Sequence, residues 1–371
     1  MKAPLRAGII GGGFMAEVHS RAIRAAGHQV IGIVASTRDS TQAIANRLRV
    51  PRTFDSATAL IESAEIDVVH VCTPNNLHLS QSLEALGRGK PVVCEKPLAT
   101  SFEDALILAD AATKSGIATA VPFVYRYYPA VREIRSRIGS GEAGELLLLH
   151  GSYLQDWLSQ NGSTNWRVDP LKGGASRAFA DIGVHWCDLM EFVTGHRITR
   201  LSARFASSYQ HHGETMNAVN TEDIASIMFE TDNNATGSLV VSQVSLGRKN
   251  RLLLSLDGTD GSFEFNQETP NTFWVGGTGE NRVVTDGSSG MQSDDARRLS
   301  FLPSGHPLGY QDVFNGFISE AYENFKGLMV AGLPTFVDGL RAAVITDAVI
   351  EASRSESWVE VGSLESKARV Q

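Results

Sequence analysis

Cysteine is scarce: Cys72, Cys94 and Cys187 are the only three in 371 residues, with no CxxC pair and no zinc-ligand spacing. That excludes a disulfide-framed scaffold or zinc module and leaves buried, reduced thiols as the expectation. HExxH is absent as well, so no metal site is expected. Long apolar runs are missing. No stretch approaches the ~20 residues of a membrane span, and no signal-peptide apolar region precedes the first strand. Basic charge is short too: 33 basic against 41 acidic residues leave a net −8, which disfavours nucleic acid and anionic membranes as partners. A cytoplasmic protein is expected, in which any phosphate-bearing ligand must be captured locally by backbone amides.

What is present fits two ordinary domains. Hydrophobic residues make up 42% of the chain and charged residues 20%, enough for sizeable cores. The first third alternates apolar runs at 5–10, 29–35, 67–73 and 91–95 with helix-period segments at 15–26, 40–49, 56–63, 77–88 and 102–115. Near-continuous apolar strands alternating with helices predict right-handed βαβ units and a doubly wound parallel sheet, an α/β fold of Rossmann type. The pattern changes near residue 123. Longer strands are expected at 146–155, 198–209, 223–230, 236–246 and 252–256, several alternating apolar with polar residues as in an antiparallel sheet with one wet face. Residues 276–305 read as loop, and helices at 311–329 and 339–354 close the chain. The expected division is 1–123, a Rossmann dinucleotide-binding domain, and 124–371, an α+β substrate domain with a large open sheet. Such a sheet invites pairing of copies, so a homo-oligomer is expected.

Gly11, Gly13, Phe14, Met15 and Ala16 form a G-x-G-x-x-A loop at the first strand-to-helix turn. Gly11 permits the tight turn, Gly13 lets backbone approach a pyrophosphate, and Ala16 allows close helix–strand packing. A helix N-terminus then faces the phosphates. An acidic residue ending the second strand would grip a ribose 2′-hydroxyl. Here stand Ser36, Thr37 and Arg38, which favour the 2′-phosphate of NADP(H) and leave NAD(H) open.

Thr73-Pro74-Asn75-Asn76-Leu77-His78 and Glu95-Lys96-Pro97 follow two further strands, and Trp166-Arg167 leads to Asp181-Ile-Gly183-Val-His185. With the glycine loop, and with Gly305-His306-Pro307 near the end, these strings resemble the glucose-fructose oxidoreductase/inositol dehydrogenase/MocA (Gfo/Idh/MocA) family. The resemblance implies a Rossmann domain and an open-sheet domain that move a hydride between NAD(P) and a hydroxyl-bearing carbon of a sugar, glycoside or cyclic polyol. It implies Lys96 as the catalytic lysine bonded to the reacting oxygen, and Asp181 and His185 as its aspartate and proton-carrying histidine. Thr73, Pro74, Asn75, His78, Glu95, Pro97 and Arg126 would join the cofactor site, and the Lys96–Pro97 bond is often cis in such proteins.

The chemistry agrees. Hydride loss from an alcohol requires loss of the hydroxyl proton, a task suited to a histidine, with a nearby ammonium stabilising alkoxide character. Asp181 and His185, four residues apart, share one face if the helix has already begun. Tyr125, Asp156, Trp157, Trp166, Arg167, Arg177 and His306 are further candidates for the substrate pocket; aromatic faces and a carboxylate suit a pyranose or cyclitol. Arg177 stands where the family often has glycine, and it could meet cofactor phosphate, narrow the pocket or face outward. Two other readings stay open: a redox-neutral glycoside-cleaving enzyme that retains NAD, and a non-catalytic NAD(P)-binding regulator. Keeping Lys96, Asp181 and His185 together argues against the regulator.

Overall fold

The computed structural model describes residues 3–160, 165–208, 221–287 and 290–362. The chain forms two compact units, one made of residues up to Val124 plus Tyr310–Arg341, the other of Tyr125–Gly309 plus the residues from Ala342.

The first unit holds a parallel sheet in the order β3-β2-β1-β4-β5-β6. Its strands are β1 (Arg6–Ile10), β2 (Gln29–Val34), β3 (Arg52–Thr53), β4 (Val68–Val71), β5 (Val92–Cys94) and β6 (Thr119–Ala120). The central strands β1, β4 and β5 are nearly all buried, which is why their sequences read as continuous apolar runs. Between strands run α1 (Phe14–Ala25), α2 (Arg38–Leu48), α3 (Ala57–Glu62), α4 (His78–Gly87) and α5 (Phe102–Ser115). Thr37, Ser56 and Ser101 cap α2, α3 and α5 through their hydroxyls, and Gly116 in the left-handed region ends α5.

The second unit opens with α6 (Pro129–Gly139) and carries a sheet in the order β14-β13-β12-β11-β7-β10-β9-β8-β15. The strands are β7 (Leu146–Leu154), β8 (Ile198–Ala206), β9 (Ile224–Thr231), β10 (Thr236–Ser242), β11 (Arg251–Gly258), β12 (Ser262–Asn266), β13 (Thr272–Gly276), β14 (Asn281–Thr285) and β15 (Val359–Glu360). All neighbours are antiparallel except β7 and β10. Alternation is clean in β9, which buries Ala225, Ile227 and Phe229 and exposes Ser226, Met228 and Glu230. Helices α7 (Pro170–Gly173), α8 (Val184–Thr194) and α9 (Asp294–Arg297) complete this part. Trp186 of α8 is fully buried and donates its indole N–H to the Leu253 carbonyl at 2.8 Å. A Cβ at Gly151 would collide with both partners, so only glycine fits that point of β7.

Three expectations need correction. Residues 276–305 are not all loop, because β14 and α9 lie within them. Helix α6 was not anticipated. The C-terminal helices do not belong wholly to the second domain: α10 (Tyr310–Phe325) and the start of α11 (Phe336–Ser355) complete the first unit. The cause is apolar: Phe314 of α10 packs on the His19 ring of α1 at 4.8 Å, and Phe314, Phe317 and Ile318 are fully buried. The far end of the strand expected at 198–209 lies outside the described residues. No helix among the described residues is long and apolar enough to cross a membrane.

Candidate active site

In the first unit, candidate residues gather at the carboxyl ends of the parallel strands. Gly11 follows β1 with φ +126°, and a Cβ there would strike the Cys72 carbonyl. Gly13 is the N-cap of α1 and brings no side chain to its first-turn amides, while a Cβ built on it meets nothing within 4 Å. Phe14 is exposed, Met15 half-buried and Ala16 buried against the sheet. An open helix N-terminus without a side-chain cap fits the diphosphate of a dinucleotide.

After β2, Ser36, Thr37 and Arg38 are exposed. Thr37 Oγ1 accepts the Ser40 amide at 3.1 Å, which commits that oxygen to capping α2. Arg38 makes no ion pair among the described residues.

The loops after β4 and β5 are tied together. His78, fully buried, sets Nε2 3.0 Å from the Thr73 carbonyl and Nδ1 2.9 Å from the Pro97 carbonyl. The Thr73 hydroxyl donates to Gln81 at 2.8 Å, Asn75 is buried after Pro74, and the Lys96–Pro97 bond is cis. Glu95 is buried, with Oε1 2.9 Å from His19 Nε2 and Oε2 accepting the Lys96 amide at 3.2 Å. Burial alone would raise its carboxyl pKa, but the His19 hydrogen bond and the nearby Lys96 ammonium outweigh it and hold it below the ordinary value.

In the second unit, Asp181 lies in a π-helical turn, Phe179–Gly183, that runs straight into α8 and His185. Single π turns recur at functional sites because they re-aim side chains. The Asp181 carboxylate accepts from Gln243 Nε2 at 2.8 Å and Arg167 Nε at 3.3 Å. The buried His185 ring stands edge-on to Tyr125, centroids 5.2 Å apart, with Tyr153 at 6.3 Å. Tyr125 and Tyr153 share a short hydroxyl–hydroxyl bond, and Asn250 bridges them, donating to Tyr125 at 3.2 Å and accepting from Tyr153 at 2.8 Å. Gln155 bonds Asn250 at 2.7 Å and accepts the Trp157 indole N–H at 2.8 Å. Burial pushes the Tyr125 phenol up, so it stays a neutral donor.

Other candidates have internal duties. Arg126 is held by Asp188 and lies over Phe192. Asp156 accepts Lys249 at 2.6 Å and the Gly247 amide at 3.1 Å. Arg167 stacks on Trp166 at 4.5 Å. Arg177 is fully buried, paired with Asp223 and bonded to the Glu222 carbonyl at 3.3 Å, so it does not face outward. His306 is exposed, beside the Pro303 carbonyl. Sequence reasoning missed Gln243, Asn250, Tyr153 and Gln155. The one signal was polarity at the ends of apolar strands, as in Gln243 directly after β10.

Comparison with known proteins bears on the whole chain. A family model described as oxidoreductase family, NAD-binding Rossmann fold, matches residues 5–123, and the GFO/IDH/MocA C-terminal domain matches 131–264. A levoglucosan dehydrogenase of Pseudarthrobacter phenanthrenivorans is 30% identical over 96% of this chain and 98% of that protein. The chain belongs to the Gfo/Idh/MocA family. Among solved Gfo/Idh/MocA structures, levoglucosan dehydrogenase in complex with NADH and levoglucosan superposes with a TM-score of 0.90 at 28% identity, covering 97% of this chain and all (100%) of that one. An oxidoreductase domain protein from Kribbella flavida gives the same TM-score, 0.90, at 29% identity over 97% and 100% of the two chains. The α/β class expected from sequence, a Rossmann sheet plus a large, mostly antiparallel one, is the fold of a Gfo/Idh/MocA oxidoreductase.

Proposed function

We propose that this oxidoreductase moves a hydride between a nicotinamide cofactor and a hydroxyl-bearing carbon of a sugar, glycoside or cyclic polyol. The carrying observation is the open glycine turn at α1 beside the same sheet whose strand β5 leads into Lys96, the combination a dinucleotide enzyme needs. The cofactor would be held by Gly11, Gly13, Phe14, Met15 and Ala16, by the loops around Thr73–Asn75 and Glu95–Pro97, and would supply hydride transfer. The first unit thus binds cofactor and the second substrate.

Lys96 donates a hydrogen bond to the reacting oxygen and stabilises its alkoxide character. His185 carries the hydroxyl proton, and Asp181, gripped by Gln243 and Arg167, serves its orientation. The Tyr125, Tyr153, Asn250 and Gln155 tier offers hydroxyl and amide partners to a polyhydroxylated ring. Levoglucosan, the substrate named for a relative, heads the candidates, with glucosides and inositols beside it. The test is absorbance at 340 nm with these sugars and both cofactors: reduced nicotinamide accumulates with at least one. Sugar cleavage without reduction would favour the redox-neutral alternative.

NADP(H) is our preferred cofactor because no carboxylate ends β2 and Arg38 is exposed there. Arg38→Asp should weaken NADPH binding more than NADH binding; equal losses, or a wild type that strongly prefers NADH, would reverse the preference. A reducing, cytoplasmic setting suits Cys72, Cys94 and Cys187, none of which is in a disulfide. We assign homo-oligomerisation to the face of the large sheet carrying Leu148, Met228 and Val240, all exposed. Val240→Arg with Met228→Glu should lower the mass measured by light scattering.

A further inference from the structure

Beneath Lys96 the first unit contains an unbroken buried chain of hydrogen bonds. The Tyr322 hydroxyl on α10 lies 2.8 Å from His70 Nε2 on β4, His70 Nδ1 lies 2.7 Å from His19 Nδ1 on α1, and His19 Nε2 lies 2.9 Å from Glu95 Oε1. All four side chains are buried, and Glu95 Oε2 takes the Lys96 amide. Two neutral imidazole nitrogens in contact share one proton, so the order of donors can be worked out. Burial holds the Tyr322 phenol protonated and pushes the His70 pKa well down, leaving that ring neutral. The phenol's hydrogen-bond partner is His70 Nε2, which must therefore accept. The His70 proton is then on Nδ1 and donates to His19 Nδ1. His19 in turn carries its proton on Nε2 and donates it to the Glu95 carboxylate. The opposite order would strand a buried phenolic proton without an acceptor.

We propose that Tyr322, His70 and His19 are positioning residues for Lys96: a one-way hydrogen-bond chain that locks the Glu95 carboxylate, whose second oxygen fixes the Lys96 amide at the end of β5. This rests on the reading that Lys96 serves the reacting oxygen. Glu95 with one oxygen released could rotate, and the backbone that aims Lys96 would lose its anchor. A misaim of about 1 Å at a reacting centre is enough to cost turnover heavily. Tyr322, His70 and His19 are fully buried and lie outside the loops that would hold the cofactor, so nucleotide affinity should not follow.

Two measurements on the full-length protein test this. Ring-nitrogen NMR of the cofactor-free chain should show His70 as the Nδ1–H tautomer and His19 as Nε2–H. Tyr322→Phe, which keeps the ring and removes the donor, should move His70 toward Nε2–H. An Nε2–H His70 in the wild type, or a pattern unmoved in Tyr322→Phe, overturns the chain whatever the activity. The second measurement pairs NADH affinity, from fluorescence titration, with kcat on levoglucosan. His19→Phe should lower kcat about tenfold or more with NADH affinity within about twofold, and His19→Gln, whose amide can still reach Glu95, should recover most of it. Parallel loss of NADH binding, or His19→Gln as poor as His19→Phe when both are folded, would reduce these residues to ordinary core. A wild type that oxidises no sugar removes the role of Lys96, while the tautomers still report on the chain.

Discussion

Arg177 shows how far one residue can be read without its surroundings. Its place before Asp181 suggested cofactor phosphate or pocket, yet the side chain is sealed against Asp223 and Glu222. Those acceptors stand just before β9, and no local pattern ties that position to residue 177. Glu222 also accepts the Arg177 amide at 3.1 Å, the Phe179 amide at 2.9 Å and the Ser176 hydroxyl at 2.7 Å, so this knot braces the π turn that bears Asp181. Removing one partner of a buried pair strands the other, and Asp223→Ala should cost about 3–5 kcal/mol in urea unfolding. A loss below about 1 kcal/mol would mean that Arg177 finds water or another acceptor. Gln243→Leu is milder, since it leaves Asp181 with Arg167. It should lower kcat roughly tenfold with unchanged NADH affinity, a split that kinetics and fluorescence titration resolve.

Elements with strict apolar period were legible, and those that bury charge were not. Strands β1, β2, β4 and β5 and helix α5 were visible because burial on a fixed face imposes a pattern on the sequence. Helix α6 escaped because it buries Arg132 and Glu133 among Ala130, Val131 and Ile134, so charge interrupts its apolar stripe. Arg132 rests on Tyr127 at 4.9 Å and, with Arg126 and Arg135, surrounds the Phe192 ring at 4.9, 4.7 and 4.4 Å. Strands β12 to β14 are five residues each, interrupted by turn residues, and their pairing is set by neighbours rather than by their own composition. Helix α10 was seen but assigned to the other unit, since an amphipathic pattern says that a face is buried and not against what. Phe314→Ala, which empties the contact between α10 and α1, should cost about 3–5 kcal/mol by denaturant titration. An effect within 0.5 kcal/mol, the range of surface changes, would deny α10 its place in that core.

At the scale of the molecule, the acidic balance becomes a pH dependence. Glu133 is buried, which would raise its pKa, but the Ser293 amide and Arg137, each at 2.9 Å, outweigh this and leave it below the ordinary value. Asp67, bonded to Arg6, and Asp295, half-buried beside Arg132, are shifted the same way. A carboxyl depressed on folding contributes stability that is complete above its unfolded value, about 4.3 for glutamate, and is lost as pH falls through the lower folded value. The melting temperature should therefore drop from about pH 5 downward, and Glu133→Gln, lacking one such group, should show a shallower drop. A melting temperature flat from pH 6 to 3 would contradict the sign. The return of Tyr310–Arg341 to the first unit has a consequence in time as well as in space. At synthesis rates of about 5–20 residues per second, the first 124 residues leave the ribosome many seconds before Tyr322 exists to close over His70. Until then the nucleotide unit is an incomplete intermediate with His70 and the α1 face uncovered. A ribosome-bound chain stalled before residue 310 should be cleaved readily by protease in this region, and one stalled after α10 has emerged should resist.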